Sequence, residues 1–326
     1  MQLSILVVSR NTERLSAMLG TLKEALHLPK ESVEILCSWN GSSESEANIH
    51  NNSGYEFLIA QRDSYHFAKN VNSLALKASG DILALLNDDV LLDPNSLDAG
   101  LSCIKNQSSP TLVGSLLRTP DQLLQHIGFT FDARFNPHHI AEGMIQAKDA
   151  CDDELHFEVP AVTAAVALVK RDVFSQIRLN ESYQRCGEDV EFNLDLRQKL
   201  QGHILLCPQL SGIHIESATR AETGEKGNTS EDQVRLRSRR REFFEQASAT
   251  QLRVELDMSS RERSLNHKAM DSLKKEQQQL RRDRDHWQQQ AQQQLRRDHD
   301  HWKRQAQVLQ LEVLRLKDMT QRQRED

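Results

Sequence analysis

The chain has 326 residues, room for one large or two smaller domains, with 41 Lys and Arg against 47 Asp and Glu and a formal net charge of -6. That mildly acidic balance gives no bulk attraction to nucleic acid or anionic lipid, so nucleic acid is not expected as a partner. Hydrophobic residues make up only 38%, and the shortage sits in the C-terminal third.

Five scattered cysteines without a CxxC pair point to reduced thiols, not to a disulfide framework or a zinc cluster. The opening "MQLSILVVSRN" lacks a basic start, and its apolar run is too short for a signal peptide. No run reaches the length of a membrane span. The expectation is a cytoplasmic protein, with peripheral contact at the inner face of the membrane left open.

"LSILVVS", Leu3 to Ser9, is a short run of the buried-strand type, and "NTERLSAMLGTLKEAL" follows with helical apolar spacing and Asn11 as its cap. "VEILCSW" is a second strand ended by the turn "NGSSES", and "YEFLIA" is a third. "FAKNVNSLALKASG" reads as a helix closed by Gly80, and "DILALLN" as the next strand. Strand and helix alternate, so the fold class is α/β, an open sheet built from βαβ units.

The middle, from about 105 to 160, reads as irregular. "VPAVTAAVALVKRDVFSQI" is a strand leading into a helix, "GEDVEFNLDLRQKLQG" an amphipathic helix ended by Gly202, and "HILLCP" a last short strand. From about 220 the texture changes. Residues 221–250 read as a polar linker and helical segment, and 251–326 as a coiled-coil helix. "LRRDRDHWQQQAQQQ" and "LRRDHDHWKRQAQVL" are near copies, with Leu280 and Leu295 fifteen apart and Trp287 and Trp302 likewise. Fifteen residues contain about four helical turns, so the seam formed by Trp287, Ala291, Leu295, Trp302, Ala306, Leu309, Val313 and Leu316 runs nearly straight and needs a partner along one face.

Two features carry chemistry. "DILALLNDDVLLDP" brings Asn87, Asp88 and Asp89 to the end of a buried strand, where open α/β sheets bind ligands. Adjacent carboxylates repel, so the pair is either a solvated strand end or the seat of a hard divalent cation. At 4 Å and an effective dielectric near 20, each cation–carboxylate pair is worth on the order of 4 kcal/mol, enough to overcome that repulsion. "GEDVEF" is the second cluster, readable as an acidic first helical turn favoured by the helix dipole or as a general base.

Six separated segments decide between these readings. "SILVVSRN", "VEILCSWNGS", "FAKNVNSLALKASGDILALLNDDVLLDP", "VPAVTAAVALVKRDVF", "GEDVEFNLDLRQKLQGHILLCP" and "IHIESATR" occur in one order over about residues 1–220. Together they resemble the family 2 glycosyltransferases, inverting enzymes with the GT-A fold that use nucleotide-diphosphate sugars. "VGSLLRTPDQLLQHIGFTFD" is similar to the subgroup that builds bacterial surface polysaccharides and includes rhamnosyltransferases.

The resemblance implies a metal-binding acidic motif, with Asp89 on Mg²⁺ or Mn²⁺, Asp88 on the metal or the ribose, and His214 completing the metal site. It implies Asp189 as the base, Glu188 as its neighbour and Gly187 for close approach, with Glu191 facing elsewhere. Ser9, Arg10 and Asn11 would touch base or ribose, Asn40 sits in the second turn, Asn70 and Asn72 would line the nucleotide pocket with Lys69 nearby, and Arg220 would reach the diphosphate beside Glu216 and Ser217. Thr163, Ala164 and Ala165 match a donor-sugar loop, and His126 is structural or at the acceptor side. Trp39 stands where family members carry an acid, which leaves the base open between stacking on Trp39 and mere packing of that ring.

The implied function is a metal-dependent inverting glycosyltransferase using a nucleotide-diphosphate sugar, UDP- or dTDP-linked, and a glycan or lipid-linked acceptor, in cell-surface polysaccharide synthesis of O-antigen or capsule type. The coil would make it a homo-oligomer or tie it to an assembly partner. The alternative is a coiled-coil scaffold carrying an inactive transferase-like domain. A sugar nucleotidylyltransferase is set aside, because "VVSRNTERLSAML" lacks a glycine-rich phosphate loop.

Overall fold

The computed structural model describes residues 2–151, 155–215 and 230–325. In chain order the elements are β1 Leu3–Ser9, α1 Thr12–Ala25, β2 Val33–Trp39, α2 Ser43–Glu46, β3 Glu56–Gln61, α3 Phe67–Lys77, β4 Ile82–Leu86, β5 Val90–Leu92 and α4 Ser96–Lys105. There follow β6 Thr111–Arg118, β7 Leu124–His126, β8 Phe129–Phe131, β9 Pro137–His139, β10 Phe157–Glu158, β11 Val166–Lys170, α5 Arg171–Ile177, α6 Glu188–Lys199, β12 His203–His214, α7 Ser230–Gln246 and α8 Ala249–Glu325.

The main sheet runs β10-β12-β6-β11-β4-β1-β2-β3. Strands β1 to β4 are mutually parallel, as βαβ units require, whereas β11 runs antiparallel between β4 and β6. Because side chains alternate across a strand, β1 feeds two cores. Leu3, Ile5 and Val7 pack with Leu15, Met18 and Leu22 of α1 and Leu97 and Leu101 of α4. Leu6 and Val8 pack on the other face with Val71 of α3, Phe174 of α5 and Phe192 of α6.

Several elements differ from the sequence expectation, each for a physical reason. The region read as irregular contains β6, buried along almost its whole length in the centre of the sheet. "HILLCP" continues as β12 to His214, with a register irregularity between Cys207 and Ser211, where Pro208 has no N–H to offer the ladder. "VPAVTAAVALVK" is strand only from Val166, so Val162–Ala165 is left as a loop.

The helix expected to be amphipathic, α6, is buried on nearly every side, including Glu188, Glu191, Asn193, Asp195 and Arg197. Residues 230–269 supply its second cover. One compact unit extends to Ala269, and Met270–Asp326 forms another. Within the first, Phe243, Met258, Leu265 and Ala269 are buried, and Met258, Leu265 and Ala269 join the α3/α6 core.

Arg197 of α6 donates to Glu255 Oε1 at 2.7 Å, to the Pro160 carbonyl at 3.2 Å and to the Gln251 carbonyl at 2.9 Å. Arg240 of α7 forks onto the same Glu255 at 2.7 and 3.2 Å and lies 3.9 Å from the centre of the Phe131 ring. One carboxylate thus balances two buried guanidinium groups. Glu255→Ala leaves both uncompensated and is expected to cost about 3–5 kcal/mol, read as a lower urea midpoint at unchanged slope.

No helix among the described residues is long and apolar enough to cross a membrane. None of the five cysteines forms a disulfide among the described residues.

Candidate active site

The order β3-β2-β1-β4 means that the chain moves outward on one side of β1 and then returns to its other side, so the C-terminal ends of β1 and β4 form the switch point at which open α/β sheets bind their ligands. Ser9 ends β1, and its hydroxyl donates to Asp88 Oδ2 at 2.6 Å just past the end of β4. Burial pushes the Asp88 carboxyl up to about 6; the Ser9 hydrogen bond opposes that and the neighbouring Asp89 adds to it.

Asp89 turns the opposite way. β5 pairs antiparallel with β12, placing His214 opposite Val90, and the Asp89 carbonyl accepts from Ile215 N–H at 2.9 Å. His214 Nε2 therefore lies 3.1 Å from Asp89 Oδ1. Gln125 clamps the imidazole from behind: its Oε1 is 2.9 Å from His214 Nδ1 and its Nε2 donates to the His214 carbonyl at 3.4 Å. An amide oxygen only accepts, so Nδ1 donates to it, and Nε2 is the ring nitrogen that faces the carboxylate.

Asp89 is buried, and its Oδ1 has no hydrogen-bond partner despite that close nitrogen. The contact is close in distance and not in hydrogen-bond geometry. This arrangement fits a shared cation. Among the described residues no group of three or more His, Cys, Asp or Glu is placed to hold a metal, so this chain offers Asp89 and His214, with Asp88 beside them. Mg²⁺ and Mn²⁺ sites of this kind draw their remaining ligands from substrate phosphates and water. Gln125→Leu should lower Mn²⁺ affinity about 10–100-fold through a loosened His214, measured by calorimetric titration of the metal.

The second acid arrives on α6. Gly187 precedes the helix at φ 111°, and a Cβ there would meet the Tyr183 ring at 2.7 Å, so only glycine starts α6 at this place. Asp189 Oδ1 accepts from Val190 N–H at 2.8 Å and Oδ2 from Ala164 N–H at 3.3 Å. Burial raises its carboxyl above the ordinary range, against the pull of the Val190, Ala164 and Thr163 hydrogen bonds. Asn193 ties the same loop to α6, donating to the Val162 carbonyl at 2.9 Å and to the Asp189 carbonyl at 2.6 Å.

The Val162–Ala165 loop joins the two acidic centres. Asn87 N–H donates to the Ala165 carbonyl at 2.9 Å, one residue before Asp88, while Ala164 touches Asp189. Thr163 N–H donates to His126 Nε2 at 3.3 Å, and His126 Nδ1 is 2.7 Å from His139 Nδ1. Burial first, then His139 and His214, drives the His126 pKa well down, which favours the neutral imidazole.

Other expected site residues are placed as follows. Asn11 caps α1, accepting from Arg14 N–H at 3.0 Å, and Arg10 lies over Tyr65 at 5.9 Å. Asn40 is fixed at the end of β2, its N–H on the Ser9 carbonyl at 2.7 Å and its amide on the Asp63 carbonyl, with Oδ1 buried and without a hydrogen-bond partner. Trp39 packs and does not stack. The ring is 1% exposed, its N–H donates to the Ser42 carbonyl at 3.0 Å, and it fills the space beside Gly41.

Asn72 departs from expectation, because its side chain is spent on Leu179 N–H and carbonyl at 3.0 and 2.8 Å and on Glu181 at 2.9 Å. It holds the segment before α6 in place. Asn70 is fully buried; its Oδ1 caps α3 through His66 N–H at 2.7 Å and its Nδ2 has no partner. Glu188 is buried in the first turn of α6, Lys69 is exposed, and Glu191 faces Tyr183 and Asn180 at 2.6 and 2.8 Å. Arg220, Glu216 and Ser217 lie outside the described residues. Gln125, His139 and Asn193 carry no sequence signature; each acts through contacts with residues at least four positions away in the chain.

No protein-family model matches the chain. A curated relative, the O-antigen biosynthesis protein RfbC of Myxococcus xanthus, is 34% identical over 156 residues, which is 46% of this chain and 12% of that protein. The chain thus matches only a small part of that relative's length. Among solved structures, GalNAc-T7 with UDP, GalNAc and Mn²⁺ superposes with a TM-score of 0.55 at 14% identity, covering 72% of this chain and 47% of that one. The Staphylococcus aureus TarS fragment 1–349 with UDP-GlcNAc gives 0.55 at 14% identity over 81% and 73%. The mannosyltransferase PcManGT of Pyrobaculum calidifontis with GDP-Man and Mn²⁺ gives 0.50 at 11% identity over 78% and 73%. A mixed sheet in this strand order, shared over most of the chain with these structures, is the GT-A glycosyltransferase fold.

Proposed function

We propose that the chain is a metal-dependent inverting glycosyltransferase of the family 2 type, moving a hexose or deoxyhexose from a nucleotide-diphosphate donor to a hydroxyl of a saccharide or lipid-linked acceptor in cell-surface polysaccharide assembly. The observation that carries it is the joining of Asp88, Asp89 and Asp189 through one loop at the open end of β1 and β4. The fold neighbours solved with UDP, UDP-GlcNAc and GDP-Man support a nucleotide-sugar donor, and the O-antigen relative supports the polysaccharide context.

Asp89 and His214 would hold Mg²⁺ or Mn²⁺, with Asp88 beside them oriented by Ser9. When bound, the ion offsets charge on the departing diphosphate. Asn40, Arg10 and Asn11 border the β1 end where the nucleoside would sit, and Thr163 presents the donor-sugar loop; Arg220 is proposed for the diphosphate from sequence alone. Asp189 takes the proton from the acceptor hydroxyl as its oxygen bonds to the anomeric carbon and the bond to the diphosphate breaks. Burial, which raises its pKa, makes it a stronger base than an ordinary aspartate. Against the inactive-scaffold alternative, the two positions that depart from the family pattern, Trp39 and Ala164, remove no group from this arrangement: Trp39 is packing, and Ala164 contributes only its N–H. The exposed part of α8 would hold copies of the chain together.

The test is release of nucleoside diphosphate from a panel of UDP-, dTDP- and GDP-sugars. Release dependent on Mn²⁺ or Mg²⁺ with at least one donor is expected. No release from any donor, with or without metal and acceptor glycans, would leave the scaffold reading.

A further inference from the structure

The unit Met270–Asp326 is one continuous helical stretch of α8 whose large apolar side chains are open to solvent, Trp287 and Trp302 being 67% and 68% exposed. Such a face on a polar helix needs a partner, and its residue order says which one.

A heptad frame, with one extra residue between Trp287 and Leu295, puts Leu273, Leu280, Trp287, Leu295, Trp302, Leu309 and Leu316 at successive d positions. Every d is Leu or Trp. The a column is mixed, with Met270, Gln277, Arg284, Ala291, His299, Ala306 and Val313. In a parallel pair d packs beside d of the partner, whereas in an antiparallel pair each d would pack beside an a, setting Leu and Trp against Gln, Arg and His. Leu at d with polar side chains admitted at a suits two strands, where an a side chain still reaches water.

The flanking charges agree. The e positions are Lys274, Arg281, Gln288, Arg296, Lys303, Gln310 and Lys317, basic or Gln without exception. The g positions are Glu276, Asp283, Gln290, Asp298, Gln305 and Glu312, acidic or Gln until the last, Met319. Parallel strands bring g of one helix to the next e of the other, pairing Glu276 with Arg281, Asp298 with Lys303 and Glu312 with Lys317. Antiparallel strands bring e to e and g to g, basic on basic and acidic on acidic. Within the chain, Asp283 and Asp298 accept only from Gln279 and Gln294 one turn earlier, at 2.8 and 2.9 Å, neutral contacts that a cation across the seam can replace.

We infer that the second unit is a parallel, in-register, two-stranded coiled coil with a second copy of this chain. The seam from Met270 to Leu316 is about 70 Å long at 1.5 Å per residue. The single extra residue locally straightens the supercoil, which is the physical content of the fifteen-residue repeat. The inference stands on the helix alone and is independent of the transferase reading.

The experiment uses the full chain. Light scattering at tens of micromolar should give the mass of two chains. Leu273→Cys, oxidised, should yield a disulfide-linked dimer on a non-reducing gel, and so should Leu316→Cys, whereas the wild type, with its five native cysteines, should not. A mass of one chain, or of three or more, would overturn the proposal. So would a covalent dimer that forms only when Leu273→Cys and Val313→Cys chains are mixed, the antiparallel result. A charge check runs beside these: Lys303→Glu with Lys317→Glu should weaken self-association at least tenfold, and mixing that chain with Asp298→Lys/Glu312→Lys should restore pairing. Self-association unchanged by the first pair would remove the charge argument.

Discussion

Asp189→Asn should reduce sugar transfer by about 10²–10⁴-fold, the usual contribution of a positioned base, while donor binding stays within a few-fold of wild type. The substitution keeps the size of the side chain and an oxygen for the Val190 N–H, now 2.8 Å away. It also removes a carboxylate whose folded pKa is raised by burial. For an acid, a raised folded value means that the folded state prefers the proton, so the ionised form costs stability at neutral pH. The variant's melting temperature at pH 7.5 is therefore expected to equal or exceed that of the wild type, which separates lost chemistry from lost fold. The wild-type rate should fall as pH drops through the raised Asp189 value, at higher pH than an ordinary aspartate would give, and that acid limb should vanish in the variant. A kcat profile of both proteins from pH 4.5 to 8 checks the whole set; an undiminished rate would take Asp189 out of the reaction.

Asp89→Asn is the second large effect. The amide keeps the size of the side chain, and the β5–β12 pairing runs through the backbone of Val90–Leu92, so the fold survives. The anionic ligand does not. Loss of one buried carboxylate ligand is expected to cost transfer about 10³-fold at saturating donor, roughly 4 kcal/mol of barrier, and to abolish the dependence on added Mn²⁺. Rates with and without metal chelator measure both. A variant that retains wild-type, metal-stimulated turnover would remove Asp89 from the metal site.

The strand-end acids show how much of the site the sequence made legible. Hydrophobic runs gave β1, β2 and β4, and a buried strand ending in Asp88 and Asp89 placed the pair at a sheet edge. Alternation along the backbone then sends Asp88 toward Ser9 and Asp89 toward His214, which answers why neighbouring acids are tolerated there. Periodicity could not reveal that β11 inserts antiparallel between β4 and β6, since pairing partners leave no trace in a strand's own pattern. Nor could it reveal Gln125 or Asn193, ordinary amides until the fold sets them against His214 and the Val162–Ala165 loop. Asn72 illustrates the opposite case, a polar residue on the expected helix whose amide is consumed by Leu179 and Glu181. α6 read as amphipathic because its own sequence says nothing of α7 and α8, which cover its outer side.

Metal and donor are expected to share one site, and a paired calorimetric titration addresses that directly. The nucleotide sugar that the panel selects is titrated into the wild-type chain with Mn²⁺ and again with chelator, and then into Asp89→Asn with Mn²⁺. Binding at least tenfold tighter with Mn²⁺, and lost to the chelator level in the variant, is the predicted result. Equal donor affinity in all three titrations would contradict it, because the buried carboxylate at the end of β4 would then take no part in holding the diphosphate.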